Sequence, residues 1–190
     1  MKRVLLAVFL IAILSVAVGY LHGADTDQLT KPSEEIKLSV PFGKSYNYVD
    51  ILVTRVVDGD TLVLETGERL RLIGIDTPEM HESKKLYRDS QRSKQSVDAI
   101  QKLGVRAYKF TKDLVEGKRV SLEFDVEKND KYGRLLAYVY LRDKNKTFVN
   151  AEIVKQGYAS LMTIPPNIKY ADLFKQLYQE ARESRRGLWK

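Results

Sequence analysis

Residues 57–79 read VDGDTLVLETGERLRLIGIDTPE, and the fold of the chain turns on this stretch. Asp58-Gly59-Asp60 is a turn signal followed by a short β-branched and aliphatic run, 61–65, and Thr66-Gly67 is a second turn signal. Residues 68–75 then predict the returning strand, closed by Asp76-Thr77-Pro78-Glu79. A hairpin folded at Thr66-Gly67 sets the start of one strand beside the end of the next, so Asp60 and Asp76 are expected at one end of the sheet. Two carboxylates in that position suit a hard divalent cation, which takes oxygen ligands and keeps several waters. Strand parity opposes part of this arrangement, because Arg71 and Asp76 point to opposite faces of an ideal strand. Gly74 is where a bend or bulge would bring them together. Taken alone, the stretch has a plainer reading, in which the acids are turn residues and Arg71 is a solvated strand residue.

Outward from the hairpin, residues 48–57 predict the strand before it, and 119–124 (RVSLEF) and 135–141 (LLAYVYL) supply a fourth and a fifth. Five short strands with a helical stretch between the third and fourth predict an α+β fold built on a small Greek-key barrel with about three helices, rather than a doubly wound sheet. In the helical stretch, Val97, Ile100, Leu103, Ala107, Phe110 and Leu114 keep a three-to-four spacing. Residues 83–103 either prolong that helix toward its N-terminus or form a separate one. The expectation here is one bent, continuous helix, with Gly104 in its middle at about 1 kcal/mol less helix propensity than Ala. Residues 82–118 carry ten Lys/Arg against five Asp/Glu, which suits either guidance of a nucleic-acid strand or a solvated helix face. Downstream, Asn150 is expected as the N-cap of a helix ending at Gly157, with Ala151 and Val154 toward the barrel. Pro165-Pro166-Asn167 reads as a turn. Tyr170, Ala171, Phe174, Leu177, Tyr178 and Ala181 form an amphipathic stripe for core packing. Gly187 stops that helix, and Leu188-Trp189 is expected to fold back as an apolar clasp.

The 190 residues suffice for one ordinary domain plus a terminal extension, and 44% hydrophobic with 30% charged residues is normal for a soluble globular domain. Cysteine is absent, which excludes disulfides, a thiol nucleophile, a thiolate metal site and a lipid-anchored N-terminus. With His22 and His81 the only histidines, any metal must be held by oxygen. The net charge of +7 favours phosphate-rich partners or anionic membranes. Lys2-Arg3 followed by an apolar run from Val4 to Val18 makes residues 1–23 either a cleaved signal peptide or an N-terminal membrane anchor, with membrane contact confined to 1–21. The expected location is therefore secreted, periplasmic or cell-surface. Residues 24–47 read as a linker or arm, and 48–190 as the folded domain with a helical insertion at about 83–103.

Five segments occur in a fixed order: VVDGDTLVL (56–64), RLIGIDTPE (71–79), DKYGRLLAYVY (130–140), VNAEIVKQGYA (149–159) and GLW (187–189). Together they resemble the staphylococcal (micrococcal) nuclease family, the thermonucleases, over residues 48–189. The resemblance implies an OB-type barrel with helices packed around it; the expected state is a monomer. It also implies Ca²⁺-dependent hydrolysis of DNA and RNA with little sequence specificity, leaving 3′-phosphorylated products. By the same alignment Asp60, Asp76 and the Thr77 carbonyl bind the calcium ion, and Glu79 is the general base. Arg71 and Arg134 grip the phosphate, Lys131 and Tyr132 touch a neighbouring phosphate, and Asp58 lies near the metal without ligating it. Two departures stand out: the added helical length, and Met162 and Ile164 at about the positions of the family's tyrosine pair. An alternative is a non-catalytic OB-type module that binds nucleic acid or protein, a route that usually loses active-site acids or arginines; here Asp60, Arg71, Asp76, Glu79 and Arg134 are all present. A third is a membrane-tethered enzyme acting on incoming DNA or another phosphodiester at the cell surface.

Overall fold

The protein is described by a computed structural model over residues 48–190; the leader and linker expectations for 1–47 lie outside the described residues. Five strands close into a barrel: β1 (Ile51–Asp58), β2 (Thr61–Leu64), β3 (Arg69–Leu72), β5 (Arg119–Glu123) and β6 (Leu135–Leu141), in the order β1-β2-β3-β6-β5. All neighbouring pairs are antiparallel except β3 and β6, which run parallel with Arg71 opposite Leu136. Closure leaves no barrel edge unpaired. Val53, Val56, Leu62, Leu64, Leu70, Leu72, Val120, Ala137 and Val139 are all buried in its core. Each large aliphatic side chain among them contributes on the order of 1.5–3 kcal/mol by leaving water.

The strand predicted over 68–75 divides. β3 stays in the barrel, while β4 (Gly74–Asp76) leaves it and pairs with β7 (Ser160–Met162) in a separate two-stranded sheet. The division falls at Gly74, whose φ of +83° is a left-handed conformation that a side chain makes costly. A Cβ there would also stand 2.5 Å from the Phe174 ring. This turn removes the parity obstacle, because a residue past it no longer follows the pleat of β3.

Four α-helices lie among the described residues: α1 (Lys84–Ser93), α2 (Val97–Val115), α3 (Val149–Lys155) and α4 (Ala171–Glu183), followed by a 3-10 turn at Gly187–Trp189. The expectation of one continuous helix through the insertion is corrected. Lys94 takes φ +57° and ends α1, and Ser96 restarts the chain by accepting the Ala99 amide at 3.2 Å. Ser83 caps α1 in the same manner, accepting the Leu86 amide at 3.1 Å. The apolar spacing begins at Val97, just after the Ser96 cap, and each helix starts at its own serine. Gly104 marks no break; it lies buried within α2 against the backbone of Glu79 and Met80.

Asn150 is not a cap. Phe148 holds the cap position of α3 with no side-chain bond, and Asn150 is fully buried in the first turn. Its Nδ2 donates to the Ile73 carbonyl at 2.9 Å, and its Oδ1 accepts the Val139 amide at 3.0 Å. Those two backbone groups flank the point where β4 leaves the barrel, and a buried amide between them satisfies both. At the C-terminus the expected clasp is present. The Leu188 amide donates to the Gly157 carbonyl at 2.9 Å, and Trp189 meets Tyr178 edge-on at 5.4 Å between ring centroids. Among the described residues no helix is long and apolar enough to cross a membrane.

Candidate active site

The Asp58-Gly59-Asp60 turn is held from three sides. The Asp58 carboxylate accepts the Asp60 amide at 3.1 Å, the Thr111 hydroxyl of α2 donates to the Gly59 carbonyl at 2.8 Å, and the Leu72 amide of β3 donates to the Asp60 carbonyl at 3.0 Å. Asp60 itself is buried. A buried carboxylate requires partners, and it has them: Oδ2 accepts the Thr77 amide at 2.8 Å and the Thr77 hydroxyl at 3.0 Å, while Oδ1 pairs with Arg71. Those bonds join the start of β2 to the end of β4, as the hairpin reading required.

Arg71 joins the two aspartates. Its Nη1 meets Asp60, and its Nη2 donates to Asp76 Oδ1 at 2.9 Å and to the Ile75 carbonyl at 3.1 Å. Burial lowers the proton affinity of this guanidinium, Asp76 and Asp58 raise it, and the charge of Arg134 lowers it again. An arginine in such surroundings stays charged. The expected juxtaposition of Arg71 and Asp76 is thus present, produced by the Gly74 turn.

A second cation sits on the other acids. Lys85, in the first turn of α1, donates from Nζ to Glu79 Oε1 at 2.9 Å, Asp76 Oδ1 at 3.1 Å and the Thr77 carbonyl at 3.1 Å. Two carboxylates and one carbonyl therefore surround a single positive centre. This is an all-oxygen donor set of the kind a hard divalent ion takes, with the ammonium standing in for the ion. Asp76, the Thr77 carbonyl and the adjoining Asp60 fit such an ion by donor chemistry. Among the described residues no group of three or more acid or histidine side chains is arranged to hold a metal, so the seat is sparse and would draw its remaining ligands from water and substrate.

Next to this cluster lies a cavity of about 390 Å³ whose lining includes Arg71, Arg134, Lys131, Tyr132, Met162 and Ile164. Arg134 is held at its rim by Asp130, which takes the arginine's Nε and Nη2 at 2.7 Å each on Oδ2 and its backbone amide at 3.0 Å on Oδ1. The Tyr132 amide bonds the same Oδ1 at 2.9 Å. The exposed Tyr132 ring lies under both the Lys131 ammonium, at 5.1 Å, and the Arg134 guanidinium, at 5.6 Å. Met162 reaches the cavity because β7 pairs with β4, and its Sδ lies 3.8 Å from Arg71 Nη2.

The model of the family described as Staphylococcal nuclease homologue matches residues 69–190. The chain is 34% identical to the Thermonuclease of Staphylococcus intermedius, with 100% of this chain and 99% of the relative covered. The chain belongs to the staphylococcal nuclease family. Other relatives include the Thermonuclease of Staphylococcus hyicus, 33% identical over 72% of this chain and 73% of its own length. Endonuclease YncB of Bacillus subtilis (strain 168) is 31% identical over 100% of this chain and 92% of its own length. As a staphylococcal nuclease family enzyme the chain hydrolyses phosphodiester bonds, and nucleic acid is its substrate class. The closed barrel is the OB-type architecture expected from the resemblance.

Within this family member, Asp60, Arg71, Asp76, Thr77 and Glu79 share one network of ion pairs and hydrogen bonds. Arg134, Lys131 and Tyr132 meet Arg71 across the neighbouring cavity. Sequence reasoning missed three participants. Asp130 had a signal, an acid four residues before the arginine in Asp-Lys-Tyr-Gly-Arg, which is an Asx-turn pattern. Lys85 had none, being one cation in a basic helical segment. Gly104, which helix propensity alone marks as a weak point, is the contact that lets α2 press on the Glu79 backbone.

Proposed function

We propose that this nuclease is an exported, Ca²⁺-dependent phosphodiesterase that cleaves DNA and RNA with little sequence preference and leaves 3′-phosphorylated products. The observation that carries the reading is the Lys85 ammonium, bonded at once to Asp76, Glu79 and the Thr77 carbonyl beside a cavity lined by Arg71 and Arg134. Asp60, Asp76 and the Thr77 carbonyl would hold the ion. When bound, calcium supplies Lewis-acid neutralisation of charge on a phosphate oxygen. The Glu79 carboxylate orients the attacking water and accepts its proton. Arg71 and Arg134 present planar paired donors from two sides of the phosphate, and their grip strengthens as negative charge accumulates in the transition state. Asp130 keeps the Arg134 fork at the cavity rim, and Lys131 and Tyr132 take the adjoining phosphate.

Low sequence preference follows from the chemistry, since these groups address phosphates, which carry no sequence information directly. Met162 and Ile164 offer apolar contact to a nucleotide without hydrogen-bonding a base edge. Export rests on the basic and apolar leader at residues 1–23, which also leaves membrane tethering open to test by N-terminal sequencing of the exported protein. The decisive assay is digestion of single- and double-stranded DNA and RNA with Ca²⁺, with Mg²⁺ and with chelator. Cleavage of all four polymers with Ca²⁺ and its loss in chelator are expected; full activity in chelator would refute the metal assignment.

A further inference from the structure

Lys85 belongs to α1, within the helical length by which this chain departs from the family pattern, and its ammonium bonds three oxygens of the acidic cluster. We propose that Lys85 is a tethered stand-in cation: it holds the metal seat and the Glu79 carboxylate in the metal-free enzyme, and must withdraw before a divalent ion can bind. This rests on the reading of Asp60, Asp76 and the Thr77 carbonyl as that seat.

The argument is steric and electrostatic. An ion seated on Asp76 and the Thr77 carbonyl would stand about 2.3–2.6 Å from those oxygens. The Lys85 Nζ already stands 3.1 Å from both. A calcium ion and an ammonium cannot share that space, and their like charges repel strongly where water is scarce. The charge-assisted hydrogen bonds that Lys85 makes are therefore lost when metal binds, and their free energy is subtracted from the apparent metal affinity. The same withdrawal unmasks the base. Glu79 Oε1 is ion-paired with Lys85, so its carboxylate is committed until the lysine leaves. Metal entry and release of Glu79 become one event, and the enzyme without metal has its base neutralised as well as its seat filled. The Lys85 side chain is 22% exposed, so it borders solvent and can leave without unfolding α1.

The test is calorimetric titration of Ca²⁺ into the folded protein without nucleic acid, comparing wild type with Lys85→Met, which keeps the aliphatic stem and removes the charge. At least tenfold tighter calcium binding in Lys85→Met is expected, with Lys85→Arg remaining close to wild type. Amine-selective acylation followed by mass spectrometry supplies a second readout: labelling of Lys85 should accelerate when calcium is added. Equal or weaker calcium binding in Lys85→Met overturns the proposal. Asp76→Asn in the Lys85→Met background separates the two claims. Binding lost in that double variant keeps the seat, so a null result at Lys85 then refutes the lysine's role alone. Binding that survives there, or no calcium binding by any variant, refutes the seat and the lysine's role with it.

Discussion

Gly104 of α2 lies directly against Glu79: a Cβ at Gly104 would stand 2.5 Å from the Glu79 carbonyl oxygen, 2.6 Å from its carbon and 2.7 Å from the Met80 nitrogen. Gly104→Ala would gain about 1 kcal/mol of helix propensity. It would also force a methyl group onto backbone atoms that cannot rotate aside, and overpacking of that kind costs about 1–3 kcal/mol. The clash therefore wins, and a net loss of about 1 kcal/mol in urea unfolding is expected. The backbone that must shift carries Glu79, and a displacement near 1 Å can cost about 100-fold in rate. A kcat reduced by tens- to a hundredfold in a folded protein would match; unchanged kcat with raised stability would contradict the contact.

Glu79→Gln and Arg134→Gly should each lower kcat by at least ~100-fold while circular dichroism shows an intact barrel. Neither side chain belongs to the buried core, so activity and folding separate cleanly. Near-normal turnover in either variant would count against that residue's role.

Asp130 ties the chemistry to pH. Burial raises the proton affinity of its carboxyl, but bonds from the Arg134 amide and guanidinium and the Tyr132 amide outweigh burial, and it titrates below the ordinary aspartate value. In the unfolded chain the group returns to about 3.9. Between the folded and unfolded values the unfolded state binds more protons, so the stabilisation is complete above about pH 4 and fades as pH falls through the lower, folded value. Denaturation from pH 6 down to pH 2 should therefore show the stability gap between wild type and Asp130→Asn constant at first, then shrinking below about pH 4. A gap that widened on acidification would reverse the assignment.

Asn150 is the polar centre of the core. Asn150→Leu leaves the Ile73 carbonyl and the Val139 amide without their side-chain partner in a buried setting. At about 1–3 kcal/mol for each stranded group, a loss of roughly 2–4 kcal/mol is expected. The urea midpoint should fall with the slope unchanged; a loss under about 0.5 kcal/mol would mean the two groups find other partners.

The site was legible in the chain to an unequal degree. Asp60, Arg71, Asp76, Thr77 and Glu79 fall within residues 60–79, where turn residues and strand lengths limit what meets, and the parity obstacle has its remedy at Gly74. Asn150 and Lys85 were misread or missed for a common reason. Asn150 bonds across 77 positions to Ile73, and Lys85 reaches Asp76, Thr77 and Glu79 only because the chain folds back before α1; neither partner is reported by periodicity. The helix break at Lys94 to Ser96 is marked by the Ser96 cap, immediately before the apolar spacing begins at Val97.

Local chemistry therefore determined the barrel strands, the meeting of Asp60 with the end of β4 and the oxygen-only character of any metal seat, because turns, alternation and side-chain donor types act over a few residues, while the roles of the acids came from the ordered family motifs. Tertiary structure decided where the added helix lands, which cation faces Asp76 and Glu79, and why α2 needs a glycine at its centre. Those outcomes depend on which surfaces meet once the barrel closes, and electrostatic and steric fit between distant segments exists only after the chain has folded.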